Sequence, residues 1–300
     1  MSNVNTFREY IWLVNTIKRA GRISFERINQ LWINNDLNDG KPLSRTTFYR
    51  LRIAIEDMFG IRINCDNDHQ YFISNPEQLS ENSTQNWMLR TLTVNNVLLD
   101  GLSIKNQLLL EDIPSGLEHL DTIINAIKNH HILYMGYKKF TDSEPYTTLI
   151  EPYCLKLFRQ RWYLLGKSER RNWEQGVFAL DRMTQLSETK KHYEQDSDFD
   201  AELYFNNYFG VIIGEEFPAE HIILRAYRKL PSLLRTLPLH HSQKEIANTD
   251  KYTDFEYYLV PSLDFRQAIL KEGNELEVIE PQSLRDMIRN ELTNALIRYQ

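Results

Sequence analysis

Residues 159–170 read RQRWYLLGKSER. The Trp-Tyr-Leu-Leu run at its centre is material for a buried strand, yet three arginines and a lysine enclose it. Strict alternation sends Trp162 and Leu164 to one face and Arg161, Tyr163 and Leu165 to the other. One face can fill a core while the other offers a cation beside a phenol. FALDRM, at 178–183, repeats the arrangement: Phe178 and Leu180 share a face, and Arg182 falls on the same parity unless Asp181 begins a turn. Several guanidinium groups, a lysine and phenols suit an anion that carries flat rings, such as a nucleotide or a short single strand. Arginine forks onto phosphate and an aromatic ring stacks on a base. A barrel surface with snorkelling arginines would have the same composition.

Around this stretch, from 131 to about 186, the hydrophobic period is two: HILYMGYKKF, YTTLIEPYCLKLF, RWYLLGKS and GVFALDRM. Short strands with tight turns predict a small β-barrel over 131–195. After the acidic EQDSDFDAELYF, residues 196–300 read strand, helix, strand, strand, helix, strand, helix, the order of a split βαβ, ferredoxin-like unit with an added terminal helix. Pro281 is expected at the first position of that helix. Residues 76–130 read as a helical connector, with helices near 83–100 and 115–130 separated by NQLLLEDIPS; core packing accounts for their apolar residues as well as signalling does.

Residues 1–75 read helix, helix, helix, hairpin, the parts of a winged helix-turn-helix. Phe7, Ile11, Val14, Ile17 and Lys18 mark the first helix, closed by Gly21. Ser24 stands at the N-cap of a second, with Phe25, Ile28, Leu31 and Trp32 on one face. After the loop NNDLNDGKP, Ser44 caps a third, with Leu51, Ile55 and Met58 as its apolar seam and Gly60 at its end. Its first half crowds donors: Arg45, Thr46, Thr47, Tyr49, Arg50 and Arg52. A recognition helix turns its N-terminal residues to base edges, so these donors stand where DNA reading needs them. Arginine forks onto guanine or phosphate, and Ser44, Thr and Tyr hydroxyls reach phosphate. Arg62 lies at the base of the wing, with Asn67 and His69 near its tip. A solvated face whose arginines pair with Glu56 and Asp57 is the plainer alternative; cap, loop, donor cluster and hairpin together favour DNA. One such module meets few phosphates, so a homodimer on two half-sites is expected.

RWYLLG followed by FALDRM, preceded by YMGYKKF and IEPYCLKLF, resembles the WYL domain, named for its Trp-Tyr-Leu run, here Trp162, Tyr163 and Leu164. The family's Pro two strands earlier is matched by Pro152, and its Asp-Arg pair by Asp181 and Arg182. The likeness extends to the N-terminal winged helix-turn-helix and to a C-terminal extension, where LHHSQ (239–243) and LEVIEPQSLR (276–285) are similar to it. The resemblance implies a bacterial, homodimeric transcriptional regulator with an Sm/SH3-like barrel. That barrel senses a negatively charged nucleotide or single-stranded nucleic acid. Tyr137, Arg161, Tyr163 and Arg182 are the expected lining, with Lys156 and Arg159 from the adjacent strand and turn. Gln160 stands where the family has a turn Gly, which leaves the direction of Arg159 open. Arg225 and Arg235 are candidates to cover a neighbouring barrel.

Composition bounds the alternatives. Across 300 residues with 42% hydrophobic and 25% charged side chains, the net charge is −6, so nucleic-acid binding must rest on local patches. Two cysteines, Cys65 and Cys154, fit a reducing compartment. The start lacks a basic leader and cleavage site, and no apolar run reaches the ~18–20 residues of a membrane span, so a cytoplasmic protein is expected. The pairs His130-His131 and His240-His241 lack ligand spacing, and no metal or cofactor is expected. SETK (187–190) matches a Ser-x-x-Lys pattern without its companion motifs, and phosphate-loop, dinucleotide, HExxH and GxSxG signatures are absent, so no catalytic residue is assigned. Two rivals stand beside the regulator: a nucleotide-acting enzyme using the barrel cleft, which turnover lost in Arg161→Ala would reveal, and a protein-interaction scaffold, which failure to shift DNA would favour.

Overall fold

The computed structural model describes residues 3–34, 40–79, 83–100, 116–214 and 217–300. Most of the loop at 34–42 and all of the apolar piece at 106–115 lie outside the described residues. The chain divides into two compact units, 1–111 and 112–300.

In the first unit, α1 (Asn3–Ala20) ends at Gly21, whose φ of 71° is the left-handed conformation glycine accepts. A two-residue strand, β1 (Ile23–Ser24), leads into α2 (Phe25–Ile33), and the Ser24 hydroxyl accepts from the Arg27 amide at 3.2 Å. The Ser44 hydroxyl likewise accepts from the Thr47 amide, 3.0 Å, and starts α3 (Arg45–Phe59). Both caps stand where the serines predict them. The hairpin β2 (Ile63–Cys65) and β3 (Gln70–Ile73) follows, and β1 joins it to make a three-stranded antiparallel sheet in the order β1-β3-β2. Asp66 shapes the hairpin turn by accepting from the amides of Asp68 and Gln70. Buried Asn75 fastens the hairpin to the end of α3, accepting from Arg62 N at 2.8 Å and donating to Gly60 O at 2.7 Å. Leu13, Val14, Ile17, Ile28, Trp32, Leu51 and Ile55 form the core. The expected seam needs one correction: Met58 is 43% exposed, while Phe48 and Phe59 are buried. The 3.6-residue repeat carries position 58 away from the core centre, and Phe59, one residue on, fills that level. Helix α4 (Thr84–Asp100) packs Leu89 into the same core.

In the second unit, α5 (Leu120–Asn129) precedes β4 (His131–Tyr137), β5 (Tyr146–Phe158), β6 (Arg161–Ser168) and β7 (Glu174–Ala179). A 3-10 turn, Leu180–Arg182, leads to β8 (Met183–His192). The five strands form an antiparallel sheet in the order β7-β6-β5-β4-β8. The expected closed barrel is not formed. The edge strands β7 and β8 are not hydrogen-bonded neighbours, although only three residues join them, so the sheet must bend to bring their ends together. The alternation in β6 holds, but both faces are covered. Leu164 packs with Leu133, Met135, Phe178 and Leu180, and Leu165 packs on the other side with Ile132, Tyr153, Tyr193 and Phe205.

A short helix, α6 (Ala201–Phe205), leads to β9 (Glu220–Tyr227), α7 (Leu230–Thr236), β10 (Lys244–Asn248), β11 (Tyr252–Leu259), α8 (Leu263–Lys271), β12 (Leu276–Glu280) and α9 (Gln282–Ile297). The element order expected after residue 220 is present, and the strands pair antiparallel in the order β10-β11-β9-β12. Pro281 sits at the N-cap, one residue ahead of the first helical position. Ile222, Leu224, Phe255, Tyr257, Phe265 and Leu284 anchor the core. The segment after α6 is pinned to α8, because the buried Asp264 carboxylate accepts from the amides of Val211 and Ile212, each at 2.8 Å. Gly210 is required there, since a Cβ would collide with that carboxylate.

Candidate nucleic-acid face and ligand cleft

On α3 the residues at 100° intervals sort cleanly. Phe48, Leu51, Ile55 and Phe59 point inward, and Arg45, Thr46, Tyr49 and Arg50 are exposed on the opposite side of the first two turns. Tyr49 is 62% exposed. The side chain of Arg45 is 70% exposed, lies 4.5 Å over the Phe25 ring and reaches Glu26 at 3.1 Å, a pair that solvent weakens. Arg50 faces Glu9, whose pKa is raised by burial with the Arg50 charge pulling it down. Ser44 and Thr47 are engaged in the cap, their hydroxyls 2.8 Å apart. Arg52 is turned differently. Its guanidinium donates to the Ile63 carbonyl and lies 5.2 Å from the Tyr71 ring, so it holds the hairpin to the helix. Arg62 stands 3.8 Å from Glu56, both exposed, and Asn67 and His69 are exposed at the hairpin tip. The sequence reasoning missed a groove of about 730 Å³ whose lining includes Arg19, Arg22 and Arg27 beside Trp12 and Leu31. These arginines are scattered across a helix end, the bend after it and the next helix, so no periodicity joins them.

In the second unit, four of the six expected sensor residues gather around an acid. Buried Tyr137 accepts through its hydroxyl from the Ala179 amide, 3.2 Å, and packs edge-on to Phe178. Burial raises the Tyr137 pKa while the neighbouring Arg182 pulls it down. Tyr163 is also raised chiefly by burial, with Arg161 and Arg182 lowering it and Asp181 raising it, which places all four groups within one electrostatic neighbourhood. Arg161 Nη2 lies 3.9 Å from Asp181 Oδ2. The Arg182 guanidinium lies 3.6 Å over the Phe140 ring. The 3-10 turn begins at Leu180, which breaks strand parity and turns Asp181 and Arg182 toward this cluster. A cleft of about 360 Å³ opens there, lined by Lys138, Lys139, Phe140, Asp181, Arg182, Met183 and Thr184. Asp181 Oδ1 and Arg182 Nε are buried and have no hydrogen-bond partner among the described residues.

Lys156 and Arg159 are not brought into this cluster. Lys156 Nζ donates to the Gly210 carbonyl at 2.7 Å and sits 3.9 Å over the Phe205 ring; burial lowers its pKa to about 8. Arg159 and Gln160 make the β5–β6 turn with φ of 48° and 65°, and Arg159 lies over Phe158 and Phe209. Arg225 and Arg235 are each paired, Arg225 with Asp254 at 2.8 and 2.9 Å and Arg235 with Glu245 at 2.7 and 3.0 Å. Lys138, Lys139 and Phe140 were missed as lining residues. Their signal was the KKF that follows Tyr137, which becomes a site only through the pairing of β4 with β8. Among the described residues, no group of three or more His, Cys, Asp or Glu gathers as a metal site, and no helix is long and apolar enough to cross a membrane.

Residues 118–188 match the model of the WYL domain family, so the chain carries a WYL domain, and the clustered Tyr137, Arg161, Tyr163, Asp181 and Arg182 all lie within it. Among solved structures, the chain is similar to the proteasome accessory factor B/C (PafBC) of Arthrobacter aurescens, at 18% identity over 81% of this chain and with a TM-score of 0.31. It spans 39% of the length of that protein. It is also similar to a CRISPR Cas-related protein at 12% identity, over 86% of this chain and 74% of that one, with a TM-score of 0.41. No curated protein matches the chain.

Proposed function

We propose that this WYL-domain-bearing chain is a ligand-responsive, DNA-binding transcriptional regulator of the cytoplasm that acts as a homodimer. Residues 1–75 are read as a winged helix-turn-helix, 76–130 as a connector, 131–195 as the sensing domain and 196–300 as a ferredoxin-like extension for dimerisation or for covering the ligand. The cleft binds its ligand without turning it over. That ligand is a nucleotide or a short single strand, held by Arg182 in the lining of the cleft, with Arg161 behind it beside Asp181. Its occupation shifts the balance between two dimer arrangements that space the recognition helices differently, which requires that it bind one arrangement better than the other.

The observation that carries this reading is α3: a serine-capped helix, fastened to a hairpin through Asn75 and Arg52, with Arg45, Thr46, Tyr49 and Arg50 exposed on its first two turns. The experiment is a mobility shift with fragments of the gene's own upstream region. Replacing Arg45 and Arg50 together by Ala is expected to weaken operator binding by at least about tenfold, since each well-placed arginine contributes ~1–3 kcal/mol to base discrimination. Affinity unchanged within twofold rejects α3 as the reading element.

A further inference from the structure

We propose that the groove between α1 and α2 is a second ligand site, which takes a small amphipathic anion: an anionic head on an apolar body. It lies in the first unit, outside the matched residues 118–188, and is separate from the cleft beside Asp181. The path of the chain gives the groove two unlike ends. α1 ends at Ala20 and α2 starts at Phe25, so the last turn of one helix stands beside the first turn of the other. Arg19, Arg22 and Arg27 therefore collect at the turn end. Trp12 lies seven residues back from Arg19, about 10 Å along α1, and Leu31 lies four residues on from Arg27, about 6 Å along α2. These two apolar side chains line the far end, where Trp12 meets Trp32 edge-on with ring centroids 5.1 Å apart.

The charge of the ligand follows from what the lining lacks. It holds three guanidinium groups and no carboxylate, in a chain whose net charge is −6. Of the acids nearby, Asp66 pairs with Arg22, and Glu26 pairs with Arg45 of α3. Arg27 has the neutral Gln30 side chain as its partner, at 3.0 Å, and among the described residues Arg19 has no acidic partner. Two uncompensated cations lining one groove repel each other, and an anion between them removes that repulsion while accepting charge-assisted hydrogen bonds. Both arginines are exposed, so water screens their hold on a bare anion. An apolar body laid over the half-buried Trp12 and Leu31 adds burial, which solvent does not screen. At about 730 Å³ the groove has room for both parts of such a molecule.

The test titrates the full-length protein with decanoate, decanol, acetate and decyltrimethylammonium by calorimetry at low salt. Decanoate carries head and body together, decanol the body alone, acetate the head alone, and decyltrimethylammonium the body with the wrong charge. Decanoate is expected to bind at least about tenfold more tightly than each of the other three. Replacing Arg19 and Arg27 together by Gln, at two exposed positions, is expected to weaken decanoate at least about tenfold while thermal unfolding stays where it was. Acetate bound as tightly as decanoate would make the groove a bare anion surface, such as a seat for a DNA phosphate, and overturns the proposal. Decanol or decyltrimethylammonium bound as tightly as decanoate overturns it by showing that charge is not read. No binding of decanoate, or an affinity unchanged within twofold in the double variant, overturns it as well.

Discussion

The exposed face of α3 and the cleft beside Asp181 are built from the same residue types, arginines with tyrosines and an acid nearby, yet they differ in how much water reaches them. Arg45 and its partner Glu26 are both more than two-thirds exposed, so their attraction is screened and either group is free to exchange partners. Asp181 is nine-tenths buried, and the phenols around it have their pKa values raised by burial. A cation in the open serves a polyanion that arrives from solution with its own counterions; a cation beside a desolvated carboxylate serves a ligand that satisfies particular atoms.

Three measurements bear on this contrast. The largest effect belongs to Asp264, the buried carboxylate that accepts from Val211 and Ile212. Asp264→Ala strands two amides and removes the charge that faces Lys156, and is expected to lower unfolding stability by ~3–5 kcal/mol in urea titration. Next comes pH. Burial first, and the neighbouring His241 second, lower the pKa of His240 to about 4 from an ordinary 6.5. The unfolded chain therefore takes the proton before the folded one does. This contribution to stability is complete above pH 6.5 and is lost as pH falls through about 4, by at most about 3 kcal/mol. His240→Gln is expected to flatten that part of the profile. The smallest effects lie on α3: Ser44→Ala is expected to lower stability by ~1 kcal/mol through loss of the cap, and Arg45→Ala by less than ~1 kcal/mol. A stability loss at Arg45 comparable with that at Asp264 would contradict the premise that an exposed ion pair counts for less than a buried carboxylate.

Much of the fold was legible in the sequence because local rules determine it. Ser24 and Ser44 cap helices, Gly21 and Gly60 end them, and the alternation of Trp162, Tyr163 and Leu164 survives in β6. Two residues of extended chain at Ile23–Ser24 are too few for a period to reveal, and they were read as part of a helix boundary. The direction of Arg52 was not legible either. It lies at the margin between the exposed and inward faces of α3, and only the position of the Ile63 carbonyl decides which way it turns. The candidate site was half legible: Tyr137, Arg161, Tyr163 and Arg182 were chosen as cations and phenols and gather together, whereas Asp181 was noted only for a motif and a turn, and of the four only Arg182 lines the cleft. That an acid sits at the centre of a basic cluster depends on where the 3-10 turn begins.

Gly116, the first described residue of the second unit, has a φ of 61° and packs so tightly that an added Cβ would fall 2.5 Å from the carbonyl carbon of Leu180. Three residues on, His119 Nε2 lies 3.3 Å from the carbonyl oxygen of Met183. The turn that bears Asp181 and Arg182 is thus gripped at both ends by the stretch through which the chain enters this unit. At the Leu180 end main chain lies close against main chain, and at the Met183 end one imidazole makes the link. A molecule that tugs on the turn by a few tenths of an ångström tugs equally on the entry segment.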